Sequence, residues 1–541
     1  MALQPFRYPE TIDPARRRLL GAYYTPAPLV NHLVEATLAP LMPPLERAIR
    51  KGRIDDALRI RIVDPACGDG AFLAAACRFV AGRLARAGRI AEPLLRAEVI
   101  RRCLHGVDID PMAVRLTGEA LRAEGGQSPL LREADTLSAS SPHPDCGFDA
   151  IVGNPPWGGW NRLLDDGAKR DYRLRFRVAR GLLDPAMLFL ERCTLWLRPG
   201  GRLGLVMPGY FLMKNYPAAR GFVLAEHDLE ELARWGMAFD GVNVEACTLV
   251  AARRDVRRAA GARRVRCFPQ GPAGPVLNVP VSAFRKAPGH VFNLSLDGAG
   301  RRLLARLQDL GTPLGDLVEA HEGIHSGNVR ARLFVPPRGR PPRGKAARHL
   351  APLLMGRGEL RPYVLRPAGW RVVYDPSVVR RHRGEYANLG RAAWYAPPKL
   401  MVRRTGDRVV AAVDRAGLKA SNNVFVVRRR GGAGASLACL AAWLNSTLAT
   451  WWFRAVVPRA GDLFAELKLE HLVRLPIVMP ARGGREAARL GRLARRLENP
   501  RLADHDPARR RVMEEIDDVI GRLAGLSRSE AAIIAACAKR A

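Results

Sequence analysis

The sequence predicts an α/β protein that begins with a doubly wound, mainly parallel sheet. Over about the first 250 residues, short apolar runs alternate with amphipathic helical stretches, as expected of strands joined by crossover helices. The apolar runs end in turns rich in Gly, Asp or Pro, where ligands meet the carboxyl ends of parallel strands. At 541 residues the chain is too long for one hydrophobic core, so we expect more than one domain.

The elements of the first domain follow one another in a regular order. Strand-and-turn patterns occur in RIRIVDPACGDG (59–70), CLHGVDIDP (103–111) and FDAIVGNPPW (148–157). Helical patterns lie between them, over residues 71–88 and 112–125, and residues 187–208 add a helix, a Gly-rich turn and a strand. This order predicts parallel strands whose carboxyl ends share one edge of the sheet.

Two changes in composition and periodicity along the chain suggest the domain boundaries. Around residues 253–274 the chain becomes basic and rich in Gly and Pro, which is typical of a linker, so we end the first domain at residue 255. Residues 256–480 are less periodic and have more β character. Residues 481–541 return to amphipathic helical patterns and are predicted to form a C-terminal helical segment.

The charge of the chain points to a polyanionic partner. Its formal net charge is +35, with a sequence pI of about 11, and such a surplus gives salt-dependent binding to nucleic acid. Of its 87 basic residues only nine are Lys, and a GC-rich genome would produce that bias without selection for binding. A solvated basic surface therefore stays open as the alternative.

Other compositional features exclude several classes of protein. No long apolar segment is free of charges, and the N-terminus lacks the pattern of a signal peptide, so we expect a cytoplasmic protein without a membrane span. The nine cysteines are scattered singly, without CxxC pairs or Cys/His clusters. Neither a disulfide framework nor a metal site is indicated.

The loop DPACGDGAF (64–72) has the position of a cofactor-binding turn, between a strand and a helix. It lacks both the glycine spacing of a dinucleotide fold and the Lys of a phosphate loop. Asp64 ahead of the glycines would repel a pyrophosphate and attract a cation, which suits the sulfonium of S-adenosylmethionine. Ala66, Gly68 and Gly70 would bring the backbone close to that cofactor.

Two further acids follow the next strands. Asp108, with Ile109 beside it, ends the second strand, where a carboxylate accepts the ribose hydroxyls of a nucleoside cofactor. Asp135 ends the third, where it is placed to accept from an adenine amino group. Each acid alone is more often a turn or cap residue, but three at successive strand ends after a Gly-rich loop favour a cofactor site.

Five motifs together resemble the gamma-class amino-methyltransferases of DNA, chiefly the N6-adenine enzymes of restriction-modification systems. They are, in order, GAYYTP (21–26), DPACGDGAF (64–72), GVDIDP (106–111), ADTL (134–137) and NPPW (154–157). The resemblance implies a Rossmann-like SAM-dependent methyltransferase domain over residues 1–255. It also implies that Thr25 contacts the carboxylate end of the cofactor.

The chemistry of that family gives each residue of NPPW a role. The exocyclic nitrogen of adenine is a poor nucleophile, and acceptors for both of its N–H groups would direct its lone pair at the methyl donor. Asn154 and the Pro155 carbonyl are such acceptors, Pro156 stiffens the loop, and Trp157 offers a stacking face to a flipped-out base. By the same resemblance, Phe239 closes the other face of that base.

The second half of the chain resembles the TaqI-like C-terminal specificity region of the same family. The motifs are HEGIHSGN (321–328), RAAWYAPPKLMVRR (391–404), SNNVFVV (421–427), LACLAAWLNSTLATWWFR (437–454) and FAELKLEHLVRLPIV (464–478). The resemblance implies a mixed α/β DNA-recognition domain over residues 256–480, forming a cleft for the duplex with the first domain. Within it, basic and aromatic side chains that suit DNA contacts are Trp394, Tyr395, Lys399, Arg403 and Arg404. The WLNSTLATWW stretch also fits an amphipathic helix whose tryptophans fill a core.

The predicted function is therefore sequence-specific adenine-N6 methylation of double-stranded DNA by a monomer. We expect methylation without cleavage, with any restriction endonuclease a separate partner, because no nuclease motif precedes the methyltransferase motifs. Three alternatives stay open: methylation of cytosine N4, methylation of RNA or protein amide nitrogen, and a non-enzymatic specificity protein with a vestigial cofactor pocket.

Overall fold

The computed structural model describes most of the chain. The described residues are 25–125, 130–138, 147–158, 164–213, 216–239, 244–255, 264–340, 342–356, 358–431, 435–457, 466–479, 484–499 and 506–539. Residues 21–24 of the GAYYTP motif and Trp160, for which we predicted only a packing role, lie outside these ranges. Within them, no helix has the length and apolarity needed to cross a membrane.

The chain divides into two compact units, residues 1–297 and 298–541. The predicted boundary at residue 255 is wrong, because two strands beyond residue 255, one within the basic stretch and one after it, complete the first sheet. β8 (Arg264–Phe268) pairs in parallel with β6 (His227–Gly236), and β9 (Leu277–Pro280) pairs with β8.

The first unit is built on one sheet, to which nine strands contribute in the described residues. The other six are β1 (Ile62–Asp64), β2 (Leu104–Asp108), β3 (Leu130–Glu133), β4 (Phe148–Gly153), β5 (Leu197–Pro208) and β7 (Ala246–Arg253). Their order is β3-β2-β1-β4-β5-β7-β6-β8-β9. β1 to β5 are parallel to one another, whereas β7 is antiparallel to both β5 and β6. The prediction of a doubly wound, mainly parallel sheet is confirmed.

Helices cover both faces of this sheet. In the described residues they are α1 (Ala27–Leu38), α2 (Met42–Arg50), α3 (Ile54–Ala57), α4 (Ala71–Gly88), α5 (Glu92–Cys103), α6 (Pro111–Ala123), α7 (Asp166–Arg175), α8 (Pro185–Trp196), α9 (Pro217–Glu226) and α10 (Val281–Lys286). Successive strand residues alternate between two apolar clusters: Val63 and Ile151 pack in one, while Ile62 and Val152 pack in the other. A strand buried on both faces reads as a continuous apolar run, as β1 and β4 do.

The second unit combines small sheets with helices. Its strands are β10 (Thr312–Pro313), β11 (Val318–Glu322), β12 (Phe334–Val335), β13 (Leu350–Leu354), β14 (Leu360–Arg361), β15 (Val364–Leu365), β16 (Arg371–Val373), β17 (Lys399–Arg403), β18 (Ala411–Asp414), β19 (Lys419–Ala420), β20 (Val424–Arg429) and β21 (Pro476–Ile477). The larger sheets have the orders β11-β20-β17-β18 and β12-β16-β13-β19. The mixed α/β character predicted for this region is confirmed.

The helices of the second unit include those predicted as a separate tail. They are α11 (Gly298–Leu310), α12 (Leu314–Leu317), α13 (Arg330–Leu333), α14 (Lys345–Arg348), α15 (Leu437–Asn445), α16 (Thr447–Val456), α17 (Leu469–Val473), α18 (Arg485–Leu497), α19 (Pro507–Leu523) and α20 (Arg528–Lys539). α18 packs on α15, and Asp517 of α19 accepts a hydrogen bond from the Thr447 N–H at 2.9 Å. The helical segment is thus part of the second unit. In the WLNSTLATWW stretch, Trp443, Trp451 and Trp452 are buried, as the core interpretation expects.

Two predicted DNA contacts lie inside this unit instead. Lys399 is wholly buried, and its Nζ donates to the Tyr395 carbonyl at 2.8 Å and to Asp414, its cross-strand partner. Tyr395 is 1% exposed, and its hydroxyl donates to the Leu389 carbonyl. The prediction that these two side chains contact DNA is wrong, because both are sealed in the core of the unit.

We expect Lys399→Met to destabilise the protein strongly, because Asp414 would stay buried without its cation. Breaking such a pair costs about 3–5 kcal/mol in the free energy of unfolding. Arg415→Met is the control, because Arg415 is an exposed cation paired with Glu498 and should change stability little. The melting temperature and the DNA affinity are to be measured for both variants. A Lys399→Met variant of normal melting temperature and weak DNA binding would restore the DNA-contact interpretation.

Candidate active site

The predicted site residues of the first unit meet at one edge of its sheet. The strand order reverses between β1 and β4, which are parallel neighbours, so the carboxyl ends of these strands open a crevice. Asp64 ends β1, and Asn154 directly follows β4. Asp108 ends β2 and Asp135 follows β3, further along the same edge.

The Gly-rich loop is fastened to the neighbouring strand. The Cys67 N–H donates to the Val107 carbonyl at 2.9 Å, and the Gly68 N–H donates to Asp108 Oδ2 at 2.9 Å. Gly68 and Gly70 have φ values of +56° and +82°, which favour glycine. A Cβ on Gly70 would lie 3.0 Å from the Thr117 Cα, so this glycine also permits close packing of α4 on α6. A Cβ on Gly68 would meet no atom within 4 Å, so the loop is open on that side.

Asp64 lies beneath this loop and is 1% exposed. Its Oδ1 accepts a hydrogen bond from the Ala66 N–H at 3.0 Å, while its buried Oδ2 has no partner among the described residues. Burial raises the pKa of this carboxyl well above its usual value, against the effect of the Ala66 hydrogen bond. The unpartnered oxygen is an acceptor that a cationic or N–H donor of a ligand would satisfy.

Asp108 is held by backbone donors, and an apolar side chain stands beside it. Its Oδ1 accepts from the Asp110 N–H at 3.0 Å, and its Oδ2 accepts from Gly68. Burial raises the pKa of Asp108, and these backbone hydrogen bonds oppose the rise. The neighbouring Ile109 is 58% exposed, so its apolar side chain is available to pack against a ligand ring.

Asp135 shapes the third turn. Its Oδ1 accepts from the Leu137 N–H at 2.8 Å, and Thr136 beside it donates its hydroxyl to the Pro65 carbonyl at 2.7 Å. The turn after β3 is thereby attached to the Gly-rich loop. Asp135 itself is half-buried, so its carboxylate keeps access to a ligand.

The amide of Asn154 is held in one orientation by two partners. Its Nδ2 donates to Thr25 Oγ1 at 3.1 Å, and its Oδ1 accepts from the indole Nε1–H of Trp157 at 2.9 Å. Because an indole N–H only donates, the amide atom that it meets has to be the oxygen. Thr25, assigned to the cofactor by the resemblance, therefore also orients the amide of the NPPW loop.

The two aromatic residues assigned to the target base contact each other. The ring centroids of Trp157 and Phe239 are 5.5 Å apart, with the rings at 73° in an edge-to-face arrangement. Trp157 is half-buried and Phe239 is 4% exposed. Pro155 is buried and Pro156 half-buried, so the proline pair is packed against the unit.

Sequence reasoning missed two residues that support this loop. Asp184, the N-cap of α8, accepts from the Gly158 N–H at 3.2 Å and from the Tyr210 hydroxyl at 2.5 Å, both at Oδ2. It is 3% exposed, and burial raises its pKa, while the Tyr210 hydrogen bond opposes that rise. An Asp-Pro pair at a helix start signals only the cap. Only the tertiary structure shows that the Gly158 N–H and the Tyr210 hydroxyl donate to the same carboxylate.

The remaining predicted DNA contacts have partners inside the second unit. Trp394 stacks on His321 with centroids 3.9 Å apart and is half-buried. Arg404 pairs with Glu466 at 2.7 Å, and Arg403 lies 3.8 Å from Asp407. DNA contacts by these three residues stay a prediction.

Comparison with protein families gives two matches along the chain. Residues 13–221 match the family described as N-6 DNA Methylase, and residues 352–477 match the TaqI-like C-terminal specificity domain. The chain is also 24% identical over 502 residues to the Type II methyltransferase M.TthHB8I of Thermus thermophilus, across 90% of this chain and 97% of that protein. This chain is a DNA methyltransferase of the restriction-modification type. The resemblance drawn from its motifs is confirmed.

Other relatives match parts of the methyltransferase. It is 29% identical over 175 residues to the Type II methyltransferase M.XhoI of Xanthomonas vasicola, across 30% of this chain and 31% of that protein. Among solved structures it is similar to the Type IIL restriction-modification enzyme MmeI in complex with DNA, with a TM-score of 0.66 and 14% identity over 99% of this chain and 81% of that one. At that identity the likeness establishes the fold.

We expect Thr25→Val to lower kcat of the methyltransferase, because the Asn154 amide would lose the acceptor that orients it. A lost hydrogen bond of about 1 kcal/mol corresponds to roughly a fivefold fall. Thr25→Ser, which keeps the hydroxyl, should restore most of the rate. Steady-state kinetics separate this role from cofactor binding. A Thr25→Val effect confined to KM for the cofactor would contradict the orienting role.

We expect Tyr210→Phe to lower kcat roughly tenfold and to move the acidic limb of its pH profile upward. Asp184 accepts from Gly158 and Tyr210 as a carboxylate, so wild-type kcat should fall as pH drops through its raised pKa. Losing the Tyr210 donor raises that pKa further, so the fall should begin at a higher pH. The control is Tyr374→Phe, which removes a hydroxyl bonded to the Gly390 carbonyl in the other unit. If the acidic limb of the pH profile were unshifted in Tyr210→Phe, Asp184 would not support the NPPW loop as a carboxylate.

Proposed function

We propose that this methyltransferase transfers the methyl group of S-adenosylmethionine to the exocyclic N6 of an adenine flipped out of duplex DNA. The observation that carries the proposal is the fixed amide of Asn154 at the switch point of the sheet. The amide oxygen accepts from the Trp157 N–H, and the amide nitrogen donates to the Thr25 hydroxyl, so the orientation of the amide is fixed. One lone pair of that oxygen is left for a substrate N–H.

A second acceptor accompanies the amide. Among the described residues, no hydrogen bond uses the Pro155 carbonyl, and Pro155 and Pro156 have no N–H groups that could compete for a ligand. Two acceptors facing both hydrogens of an amino group draw its nitrogen toward tetrahedral geometry, and the lone pair then points away from them. This arrangement suits an amine that has to act as a nucleophile without being deprotonated first.

The residues around the Gly-rich loop fit the cofactor. Asp108 has carboxylate oxygens at the ribose position, Ile109 gives an exposed apolar surface for the adenine, and Asp64 has an unpartnered buried oxygen. When bound, S-adenosylmethionine supplies an electrophilic methyl group on a sulfonium. The transfer joins N6 to that carbon as the carbon–sulfur bond breaks, sulfur keeps the electron pair, and a proton leaves N6 for solvent.

Base flipping would rearrange the aromatic pair. A base stacked between two rings needs them about 7 Å apart, twice the ~3.5 Å contact distance. Because the Trp157 and Phe239 centroids are 5.5 Å apart, entry of the base has to move one ring. Phe239 is the more deeply buried of the two, so we expect Trp157 to move and its indole N–H to leave Asn154, whose amide is then held by its hydrogen bond to Thr25.

The test is incubation with labelled S-adenosylmethionine and long duplex DNA, followed by nucleoside analysis. We expect the label in N6-methyladenine. Asn154→Ala should lower kcat by about 10²–10³ while leaving cofactor affinity mostly unchanged, since the amide acts on the target nitrogen. Asn278→Ala, on the exposed edge strand β9, is the control.

Two outcomes would contradict the proposal. Label in 4-methylcytosine, RNA or protein would assign the same acceptors to a different substrate. An Asn154→Ala enzyme of normal kcat would contradict the role of the amide.

A further inference from the structure

An exposed loop of the second unit is held unusually firmly. Residues 380–388, here called the Tyr386 loop, include one short 3₁₀ turn, Arg381–Arg383. At their centre Tyr386 is 60% exposed, although it is a large aromatic residue. Single exposed apolar side chains are common on protein surfaces, so the significance of Tyr386 depends on how its backbone is held and on the charges beside it.

The Tyr386 loop is fastened to the turn of the HEGIHSGN motif, residues 325–328. His325 and Asn388 exchange two backbone hydrogen bonds of 2.8 Å each, an isolated antiparallel bridge. Asn328 adds two more, donating from Nδ2 to the Gly384 carbonyl at 3.2 Å and accepting at Oδ1 from the Tyr386 N–H at 3.0 Å. The backbone that carries Tyr386 is therefore fixed on both sides.

Gly327 makes this close approach possible. It has a φ of +51°, and a Cβ at this position would collide with the Tyr386 carbonyl oxygen. Any side chain at residue 327 would push the two segments apart. This glycine, which the sequence motif contained without an explanation, belongs to the support of the Tyr386 loop.

The charge of the Tyr386 loop is positive and largely unneutralised. The acid of the segment, Glu385, pairs with Arg332 and accepts from the Arg380 N–H at 2.8 Å, and the Arg332 hydrogen bond holds its pKa below the usual value. Arg381 and Arg383 are exposed, and no carboxylate of the described residues lies within 4 Å of their guanidinium groups. Two available guanidinium groups therefore precede the exposed ring in the same loop.

We propose that the Tyr386 loop is a DNA-reading surface, with Tyr386 contacting base edges and Arg381 and Arg383 contacting phosphates. This inference rests on the proposed function, because it takes duplex DNA as the substrate. A guanidinium fork matches phosphate oxygens, and phosphate contacts fix the register in which another side chain reaches the bases. The rigid backbone matters because discrimination between bases requires a side chain held at one position before binding.

The experiment methylates long DNA of mixed sequence and maps the modified sites by sequencing. With wild type, methylation should concentrate in one motif. Tyr386→Ala should lose about 10- to 100-fold discrimination at one position of that motif, as expected for a lost base contact. Because the side chain is exposed, the variant should melt like wild type, which thermal melting checks.

The double variant Arg381→Ala/Arg383→Ala should instead weaken binding to all sequences alike. The slope of log K against log salt should fall by about two, one for each phosphate contact. The matched control is Arg510→Ala/Arg511→Ala, which removes two exposed arginines from α19 of the same unit and should leave the motif unchanged.

The outcomes separate this inference from the proposed function. Wild-type protein that methylates no DNA would overturn the proposed function, and this inference with it. Normal DNA methylation with an unchanged motif in Tyr386→Ala would overturn the base-reading role alone. An unchanged salt slope in the double arginine variant would overturn the phosphate contacts.

Discussion

The close approach of β1 and β4 at the point where the strand order reverses is the constraint on which the active site depends. A Cβ on Gly153 would lie 2.5 Å from Asp64 Oδ1, so the last residue of β4 has to be glycine for the two strand ends to stand side by side. Asp64 begins the loop that fits the cofactor, and Asn154 begins the loop that fits the target base. Under the proposed function, the missing side chain lets the loop that would hold the methyl donor and the loop that would hold the target base start side by side, at the ends of the paired strands β1 and β4.

The catalytic loop is positioned by contacts from distant parts of the sequence. Thr25 precedes the first helix and Asp184 caps α8, yet both bond to residues 154–158, and Tyr210, which follows β5, holds Asp184 in turn. The bonds from Thr25 and Asp184 are hydrogen bonds to polar groups of the loop, so the Asn154 amide nitrogen and the end of the loop are held in the absence of a ligand. Preorganised acceptors of this kind need little rearrangement in the transition state, which is the main source of electrostatic catalysis.

The sequence predicted the fold of the first unit and the positions of its strand-end residues, because buried parallel strands and Gly-rich turns leave local patterns. It did not predict the boundary near residue 297, since β8 lies within a basic stretch that resembles a linker and β9 follows that stretch, and both join the sheet through pairing that no local pattern records. Lys399 failed as a DNA contact for a similar reason: a lysine in a basic, aromatic segment looks exposed until its cross-strand partner Asp414 is known. The link between Thr25 and Asn154 spans 129 residues and likewise appears only in three dimensions.

The support of the Tyr386 loop has a consequence for how such enzymes diverge. Most of the bonds that hold the loop come from the backbones of His325, Gly384, Tyr386 and Asn388 and from the side chain of Asn328, and the half-buried Glu385 side chain adds its bonds to Arg332 and to the Arg380 N–H. The exposed side chains of the loop contribute none of them, so they can be exchanged while the scaffold keeps its shape. Under the proposed DNA-reading role, residues that determine the target sequence are separate from those that maintain the fold of the loop, and a lineage under pressure to mark different sequences could change its target through a few surface substitutions.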